Sequence, residues 1–488
     1  MLIRTLAIAI ATLLAARAHA DHDLWYVMEM QGKRAGWMRS TETTDGDRIR
    51  TTSETRLTFK RGSESITITL QTEFVETLNH KPISMRQMQR YGTEPIEIVH
   101  TFTEADVQIV STQHGRETRT TAPLPEGVWL TPAAAAAYDA QRLAAGAKEI
   151  VVRTIDPSMG LTPITITVKV LERTRVEAMG KTVPALRCES RNSLMPDIVS
   201  HDFIDEKGIP IRTTMDIGGL SITMLAAERE VALAAMDPPE IMASTMVKAE
   251  GRLPNPRRSS KASYLLSVPG DTLADLPSVG AQRVERIDAR TLRVTIDLRS
   301  PAAASGDDAV RPAHTSPSAM IDSSDPEVRA LAARATRGLP DDPRRRAEAM
   351  RRFVFDYIDE KSLGVGFASA SETARCQEGD CSEHGTLLAA MLRADGIPSR
   401  VVSGLLYVEE FLGEKHVFGY HMWTQALLTI EGKPTWVDLD ATFPPELSTD
   451  ATHIALAVSA MADGEPQNAL ISLAPLLGRL RVKVESVE

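Results

Sequence analysis

Three short stretches near the C-terminal end of the chain decide its fold: GDCSEH at residues 379–384, GYHMW at 419–423 and WVDLDAT at 436–442. The first predicts a cysteine at the start of a helix. The second predicts a histidine on a strand, and the third an aspartate on the next strand. A thiol, an imidazole and a carboxylate in this order can supply the nucleophile, the base and the orienting group of acyl-transfer chemistry.

Cys381 is the candidate nucleophile. At helical spacing it shares one stripe with Gly385, Leu388 and Leu392, so we expect its thiol on the core side of the helix. The position favours the thiolate, because the helix dipole and the free N–H groups at a helix N-terminus stabilise negative charge. By itself, however, a single cysteine is more often a small buried apolar residue.

His421 is the candidate base, and its acidic partner is ambiguous from the pattern. Strand alternation places His421 on the same face as Trp423, whose indole would help to exclude water from a proton-accepting imidazole. A lone histidine in an apolar strand is otherwise a core residue with satisfied hydrogen bonds. Asp438 and Asp440 share one face of the following strand, and a solvated strand end would explain either of them.

A metal site is the rival chemistry. Cys376, Cys381 and His384 could be soft ligands, with His416 or His421 as the fourth. Their spacing lacks the paired ligands that are typical of zinc sites. The sequence also shows no calcium loop and no nucleotide motif, so we predict that the protein uses neither a metal nor another cofactor.

The same region resembles the transglutaminase-like superfamily, whose core has the papain-like fold. That family carries a Gly-x-Cys helix start, a Gly-Ile-Pro-x-Arg-x-x-x-Gly strand entry, a His-x-Trp strand and a Trp-x-x-x-Asp-x-Thr strand. The chain has GDC at 379–381, GIPSRVVSG at 396–404, HMW at 421–423 and WVDLDAT at 436–442. The resemblance covers about residues 320–445.

The resemblance implies a role for each candidate. It implies Cys381 as nucleophile, His421 as base and Asp440 as orienting acid, since Asp440 lies four residues after Trp436 and begins Asp-Ala-Thr. It further implies that the thiolate attacks a carbonyl group and forms a thioester, while two donors hold the oxyanion.

The two oxyanion donors and the remaining cysteines are less defined. The backbone N–H of Cys381 is one donor, and Gln377 is near enough in sequence to be considered for the other. The chain has three cysteines, at 188, 376 and 381, so it is no disulfide scaffold and at least one thiol is free. Cys376 lies outside the family pattern and is interpreted as a bystander or as a redox partner of Cys381.

The net charge and the first twenty residues indicate where the protein acts and which partners it has. The formal charge of −10 gives no support for a nucleic-acid partner. Residues 1–20 predict a signal peptide, with Arg4 ahead of an apolar stretch and a cleavage site after Ala20. Its removal would take away Arg4 and Arg17. No later stretch has the ~18 apolar residues of a membrane helix, so we expect a periplasmic or secreted protein.

The predicted fold class is α+β, with a papain-like transglutaminase core at the C-terminus preceded by two antiparallel β-rich domains. A chain of 488 residues favours about three domains. The predicted segments after the signal peptide are a β-rich N-terminal domain at 21–236, a small β-domain at 237–300, a linker at 301–318 and the catalytic domain at 319–488. Helices are predicted at 132–145, 325–337, 342–358 and 381–394, and core strands near 399–408, 417–430 and 434–440.

The sequence thus predicts an exported cysteine enzyme that acts on a peptide or protein carboxamide. Hydrolysis is favoured over cross-linking to an amine, because nothing in the sequence marks an amine-binding site. The alternative is a non-catalytic scaffold or binding protein of the same fold, in which the three residues are vestigial. The substrate and the oligomeric state stay open.

Overall fold

The structure, a computed structural model, describes residues 22–91, 94–113, 115–217, 219–270, 272–463 and 476–488. The predicted signal peptide lies outside these residues. The described chain forms two compact units, one of residues 22–240 and one of residues 241–463 with 476–488. Within the described ranges, no helix is long and apolar enough to cross a membrane.

The unit of residues 22–240 is built on one antiparallel sheet of fourteen strands in the order β8-β7-β6-β5-β4-β3-β2-β1-β14-β13-β12-β11-β10-β9. The strands are β1 (His22–Met30), β2 (Lys33–Asp45), β3 (Arg48–Arg61), β4 (Glu64–Thr77), β5 (Pro82–Arg90), β6 (Ile96–Phe102), β7 (Asp106–Gln113), β8 (Arg116–Pro123), β9 (Glu149–Thr154), β10 (Ile164–Ala178), β11 (Lys181–Asn192), β12 (Met195–Ile204), β13 (Pro210–Ile217) and β14 (Leu220–Ala227). Neighbours in sequence are neighbours in the sheet except for β8 and β9, which form its two edges, and β1 also pairs with β14.

Helix α1 (Pro132–Ala144) interrupts these strands where the sequence predicts a helix. Thr131 occupies the N-cap position, but its side chain makes no capping hydrogen bond. The Thr131 hydroxyl instead donates to Glu76 Oε1 at 2.8 Å, and the Ala133 N–H donates to Glu76 Oε2 at 3.3 Å. The carboxylate of a fully buried strand residue therefore satisfies a free N–H of the first helical turn. A short helix, α2 (Arg229–Ala232), follows the last strand.

The second unit contains a nine-stranded sheet in the order β17-β18-β16-β23-β15-β20-β19-β22, with β21 paired to β20. Its strands are β15 (Val247–Glu250), β16 (Lys261–Ser267), β17 (Gln282–Arg286), β18 (Thr291–Asp297), β19 (Ser399–Phe411), β20 (Glu414–Ile430), β21 (Lys433–Leu439), β22 (Ile454–Ser459) and β23 (Arg481–Val487). Strand β23 lies between β16 and β15, antiparallel to the first and parallel to the second.

The second unit has five described α-helices; the last of them packs against β19 and β20, and the three before it pack around that last helix. The five are α3 (Met242–Thr245), α4 (Pro326–Ala335), α5 (Pro343–Tyr357), α6 (Ala370–Cys376) and α7 (Cys381–Ala394). The predicted helices at 325–337, 342–358 and 381–394 are confirmed to within two residues. Helix α6 was not predicted, although Ser369 caps it by accepting a hydrogen bond from the Glu372 N–H.

The approach of α7 to the sheet is close at one glycine. A Cβ atom added to Gly385 would lie 3.3 Å from Met422 Cγ and 3.8 Å from the backbone carbon of Trp423. Around this contact, the apolar side chains of α7, such as Leu388 and Leu392, are fully buried. The start of α7 is thereby held against β20, the strand that carries His421.

Candidate active site

Cys381 is the first residue of α7, and a capping box fixes the helix start. Asp380 Oδ1 accepts from the Ser382 N–H at 2.9 Å, and Glu383 Oε2 accepts from the Asp380 N–H at 2.9 Å. Gly379 has φ +153°, and a Cβ atom there would lie 2.3 Å from Glu383 Cβ. The glycine of the Gly-x-Cys motif is therefore required for the carboxylate of the capping box to fit.

Glu383 also ties this helix start to the preceding helix. Its Oε1 accepts from the Ala368 N–H at 2.8 Å, just before α6. Burial and the nearby Asp380 charge raise the pKa of the Glu383 carboxyl to about 8. One fully buried side chain thus holds two backbone segments beside the thiol.

His421 lies on β20 with its ring between the thiol and a carboxylate. Its Nε2 is 2.7 Å from Asp440 Oδ2. Cys381 acts on the same imidazole and contributes to its raised pKa. Because Nε2 faces Asp440, Nδ1 is the ring nitrogen that is left to face the thiol. The Trp423 indole is stacked near the imidazole with ring centroids 6.1 Å apart. The structure therefore brings together the three residues that the resemblance implies.

The two candidate acids have different partners. Asp440 is fully buried just after β21 ends, and its Oδ1 accepts from the Thr442 N–H at 2.8 Å and from the Thr442 hydroxyl at 2.7 Å. Asp438 Oδ1 instead accepts from Trp423 Nε1 at 2.7 Å and from Gln425 Nε2 at 2.8 Å. Asp440 contacts the imidazole, whereas Asp438 orients the indole beside it.

A second histidine, which the sequence did not single out, contacts the same acid. His453 Nε2 lies 3.0 Å from Asp440 Oδ2, and its Nδ1 lies 3.2 Å from Asp450 Oδ1. Asp450 is paired in turn with Arg257, whose Nη1 is 2.6 Å from Asp450 Oδ2. A chain of polar contacts therefore extends from Asp440 through His453 and Asp450 to Arg257.

A repeated tripeptide was the signal in the sequence for this extension. Asp-Ala-Thr occurs at 440–442 and again at 450–452. In the second copy the Asp450 Oδ1 accepts from the Thr452 N–H at 2.8 Å and from the Thr452 hydroxyl at 2.6 Å, as Asp440 does with its own threonine. Each carboxylate is thus held by a turn of the same kind, formed with the threonine two residues later.

The charges of this cluster stabilise one another. Burial disfavours a charged His421, but the Asp440 charge and Cys381 outweigh burial and raise the pKa of the imidazole to about 10. Burial is likewise outweighed at His453, where hydrogen bonds to Asp440 and Asp450 raise the pKa to about 9. Burial would raise the pKa of Asp440, but the two imidazoles outweigh it and hold that pKa well below its usual range. Both imidazoles are therefore favoured as cations next to Asp440 near neutral pH.

The predicted rival metal ligands do not form a cluster. His384 Nδ1 contacts the Asp380 carbonyl oxygen at 2.7 Å, and His416 Nδ1 contacts the Tyr407 hydroxyl at 2.9 Å. Among the described residues, the group close enough to hold an ion is His421, Asp440 and His453. The hydrogen bonds of 2.7 and 3.0 Å within this group already use the atoms that would bind the ion.

The remaining sequence candidates lie at the end of α6. Cys376 is its last residue, exposed, and its Sγ lies 3.6 Å from the Glu378 carbonyl oxygen. Cys376 and Cys381 are both free thiols. Gln377, the candidate second oxyanion donor, has φ +56°, and its Nε2 lies 3.4 Å from the Tyr357 hydroxyl. The Gln377 amide is thus already in contact with a protein acceptor.

Residues 329–441 match the family model of the transglutaminase-like superfamily. This segment contains all three implied residues and confirms the resemblance that the sequence motifs indicated. No curated protein matches the chain.

Similar solved structures include a β-barrel-like protein of Brucella abortus from a domain family of unknown function. The two sequences are 14% identical, the match covers 43% of this chain and 96% of that chain, and the TM-score is 0.33. A candidate cysteine protease of Cytophaga hutchinsonii has 14% identity, 47% and 86% coverage, and a TM-score of 0.28. A candidate protease of Parabacteroides distasonis has 12% identity, 76% and 68% coverage, and a TM-score of 0.19.

Proposed function

We propose that the chain is a cysteine-dependent acyl-transfer enzyme that forms a thioester on Cys381 and resolves it by hydrolysis. The observation that carries the proposal is the His421 imidazole, which is hydrogen-bonded to Asp440 with 2.7 Å between His421 Nε2 and Asp440 Oδ2 and whose pKa is raised by both Asp440 and Cys381. This arrangement supports the roles of nucleophile for Cys381, base for His421 and orienting acid for Asp440.

In the acylation half of the reaction, the Cys381 sulfur attacks the carbonyl carbon of a carboxamide, and the carbonyl electrons move to the oxygen. The Cys381 N–H is free to stabilise this oxyanion, because the first N–H groups of a helix have no partner within it. The electrons then return, the C–N bond breaks, and the His421 imidazolium gives its proton to the leaving nitrogen. The amine leaves and a thioester remains.

In the deacylation half, water attacks the thioester carbon while His421 accepts a proton from it. The C–S bond breaks, the sulfur leaves as a thiolate, and the acid product is released. Asp440 keeps its charge throughout and holds the imidazole in the orientation in which Nδ1 faces the sulfur. We propose water rather than an amine as the acceptor because hydrolysis needs no second binding site for an amine.

We propose a peptide or protein as the substrate class and an extracytosolic location for the reaction. The location rests on the composition of residues 1–20, with Arg4, the apolar stretch and the small residues before position 21. Peptides and secreted proteins would then be the carboxamides that the enzyme meets.

The test is thiol labelling combined with turnover. The purified protein is treated with iodoacetamide, and the labelled peptides are identified by mass spectrometry in the wild type, in Cys381→Ala and in the matched control Cys376→Ala. We expect hydrolysis of a peptide library by the wild type and by Cys376→Ala, and none by Cys381→Ala. Full activity in Cys381→Ala would refute the proposal of a Cys381-dependent enzyme. An inactive wild type with an unreactive Cys381 would favour the non-catalytic scaffold.

Product analysis separates the two acyl-transfer reactions. The same library is incubated with a labelled primary amine, and hydrolysed and amine-linked products are counted. An excess of amine-linked products would replace the hydrolase by a transferase, while leaving the roles of Cys381, His421 and Asp440 unchanged.

A further inference from the structure

The unit of residues 22–240 contains a partly open cavity that the proposed acyl-transfer chemistry does not use. We call it the sheet cavity. Its lining comes from β2–β4 on one side and from β9–β14 on the other, with the buried face of α1 and the residues after β9 closing it. Since strands from both halves of one sheet line the same space, the sheet curves around it.

The lining of this cavity carries many hydroxyl groups among its apolar side chains. Side chains that face the interior of a sheet normally form an apolar core. Here many of them are hydroxyl-bearing, including Ser40, Ser53, Thr55, Thr72, Ser200 and Thr213. Burial of so many hydroxyls is unfavourable unless they find hydrogen-bond partners, so packing alone does not explain this face.

Three nearly buried polar groups in the lining carry an atom that has no hydrogen-bond partner among the described residues. They are Asp156 Oδ2, Asn192 Nδ2 and Ser200 Oγ, and these residues are 6%, 5% and 2% exposed. Together they offer a carboxyl oxygen, an amide donor and a hydroxyl that can do both.

Two of these groups are held in place by their other atom. Asp156 Oδ1 accepts from the Ser158 N–H at 2.8 Å and from the Ser158 hydroxyl at 2.7 Å. Asn192 Oδ1 accepts from the N–H groups of Leu194 and Met195 at 3.0 and 2.9 Å. The atoms without partners are therefore presented in a fixed orientation, which is a property of binding sites.

The size of the space limits the ligand. The sheet cavity offers about 150 Å³ to the centres of water molecules. One buried water needs on the order of 10–15 Å³ by this measure, so the cavity has room for roughly ten to fifteen non-hydrogen atoms. A monosaccharide or another small polyol has this size.

The charges of the lining select against anions. Asp139, Asp156 and Asp202 all border the cavity, whereas the cation in its lining, Arg191, has an exposed side chain whose Nη1 donates to the Pro196 carbonyl oxygen. Asp202 already accepts from the hydroxyls of Ser190 and Thr213. Burial raises the pKa of Asp156 and so favours the protonated, neutral form of its carboxyl group.

We propose that the sheet cavity binds a small, neutral molecule that carries several hydroxyl groups, of about the size of a monosaccharide. Its hydroxyls would bond the free atoms of Asp156, Asn192 and Ser200, since a hydroxyl can both donate and accept. Its C–H surface would pack on the apolar part of the lining, such as Val152, Ile164 and Ile166.

The experiment uses the full chain and two neutral probes, D-glucose and myo-inositol, with D-glucuronate and D-glucosamine as charged counterparts. Saturation-transfer NMR detects contact, and calorimetry gives the dissociation constant. We expect at least one neutral probe to bind and D-glucuronate to bind at least tenfold more weakly than D-glucose. Failure of both neutral probes to bind would overturn the proposal, and so would binding of D-glucosamine alone, which would indicate an ammonium site.

Two variants localise the site. Ser200→Ala removes a hydroxyl without a protein partner, so it should fold normally and weaken binding about two- to tenfold, as the loss of one hydrogen bond does. Asn192→Asp keeps the oxygen that bonds Leu194 and Met195 but replaces the free donor. Ser84→Ala, on β5 and outside the lining, is the matched control. Unchanged binding in Ser200→Ala and Asn192→Asp would place the ligand elsewhere and refute the proposal.

Discussion

Replacing His453 by glutamine tests whether the second imidazole stabilises the fold as a cation. The amide nitrogen of the introduced side chain can still donate to Asp440, but the charge and the contact with Asp450 are lost. Because hydrogen bonds to Asp440 and Asp450 outweigh burial, the pKa of His453 is raised from 6.5 to about 9. One pKa unit corresponds to about 1.4 kcal/mol, so the charged form contributes about 3 kcal/mol to the free energy of unfolding.

The sign of the pH dependence follows from the raised pKa. The folded state binds the proton more tightly than the unfolded state, so the contribution is complete below pH 6.5 and is lost as the pH rises through about 9. We therefore expect His453→Gln to lower the free energy of unfolding by about 3 kcal/mol more at pH 6 than at pH 9.5. His416→Gln, at an exposed histidine near the start of β20 and outside this cluster, is the control.

The assay is urea unfolding followed by tryptophan fluorescence at a series of pH values. Trp423 and Trp436 report on this unit once the other tryptophans, Trp25, Trp37 and Trp129, are changed to phenylalanine in every variant. The reasoning would be refuted if the destabilisation by His453→Gln were the same at pH 6 and at pH 9.5, because folding would then not raise the pKa of His453.

Three further predictions concern the residues around the thiol. Cys381→Ala should abolish turnover and leave the melting temperature almost unchanged, whereas Cys376→Ser should stay active; equal losses would favour a redox pair. Asp440→Asn should lower kcat by up to about 10⁴-fold and Asp438→Asn far less, and the reverse ranking would assign the orienting role to Asp438. Gly379→Ala should lower the melting temperature by several degrees, since its Cβ would meet Glu383 Cβ at 2.3 Å; an unchanged melting temperature would mean that the capping box tolerates rearrangement.

Local patterns were sufficient for the core elements and for part of the site. Helical periodicity predicted α4, α5 and α7, because this signal acts over a few residues. The motif spacing identified Cys381 and His421. The choice between Asp438 and Asp440 was not accessible from alternation, because Asp440 follows the end of β21 and its orientation is set by the turn to Thr442.

Features that depend on distant pairing were not predictable. His453 reaches Asp440 only because β22 pairs with β19 and brings the residue before it into the core. The sequence predicted a β-rich N-terminal domain at 21–236 but no site within it. A single strand does not reveal which polar residues of a long sheet will face one another, so the sheet cavity could be found only in three dimensions.

The position of β23 constrains the order in which the second unit can assemble. Its residues 482–487 pair with Ala262–Leu266 on one side and with Ala249–Glu250 on the other. Until residues 481–487 have left the ribosome, β15 and β16 have no common neighbour, and two strand edges stay open. Pairing across more than two hundred residues makes folding slow and leaves such edges prone to association. The unit that carries Cys381 therefore completes its sheet only after β23 has been synthesised, and a chain shortened before Arg481 should accumulate as a partly folded, aggregation-prone species.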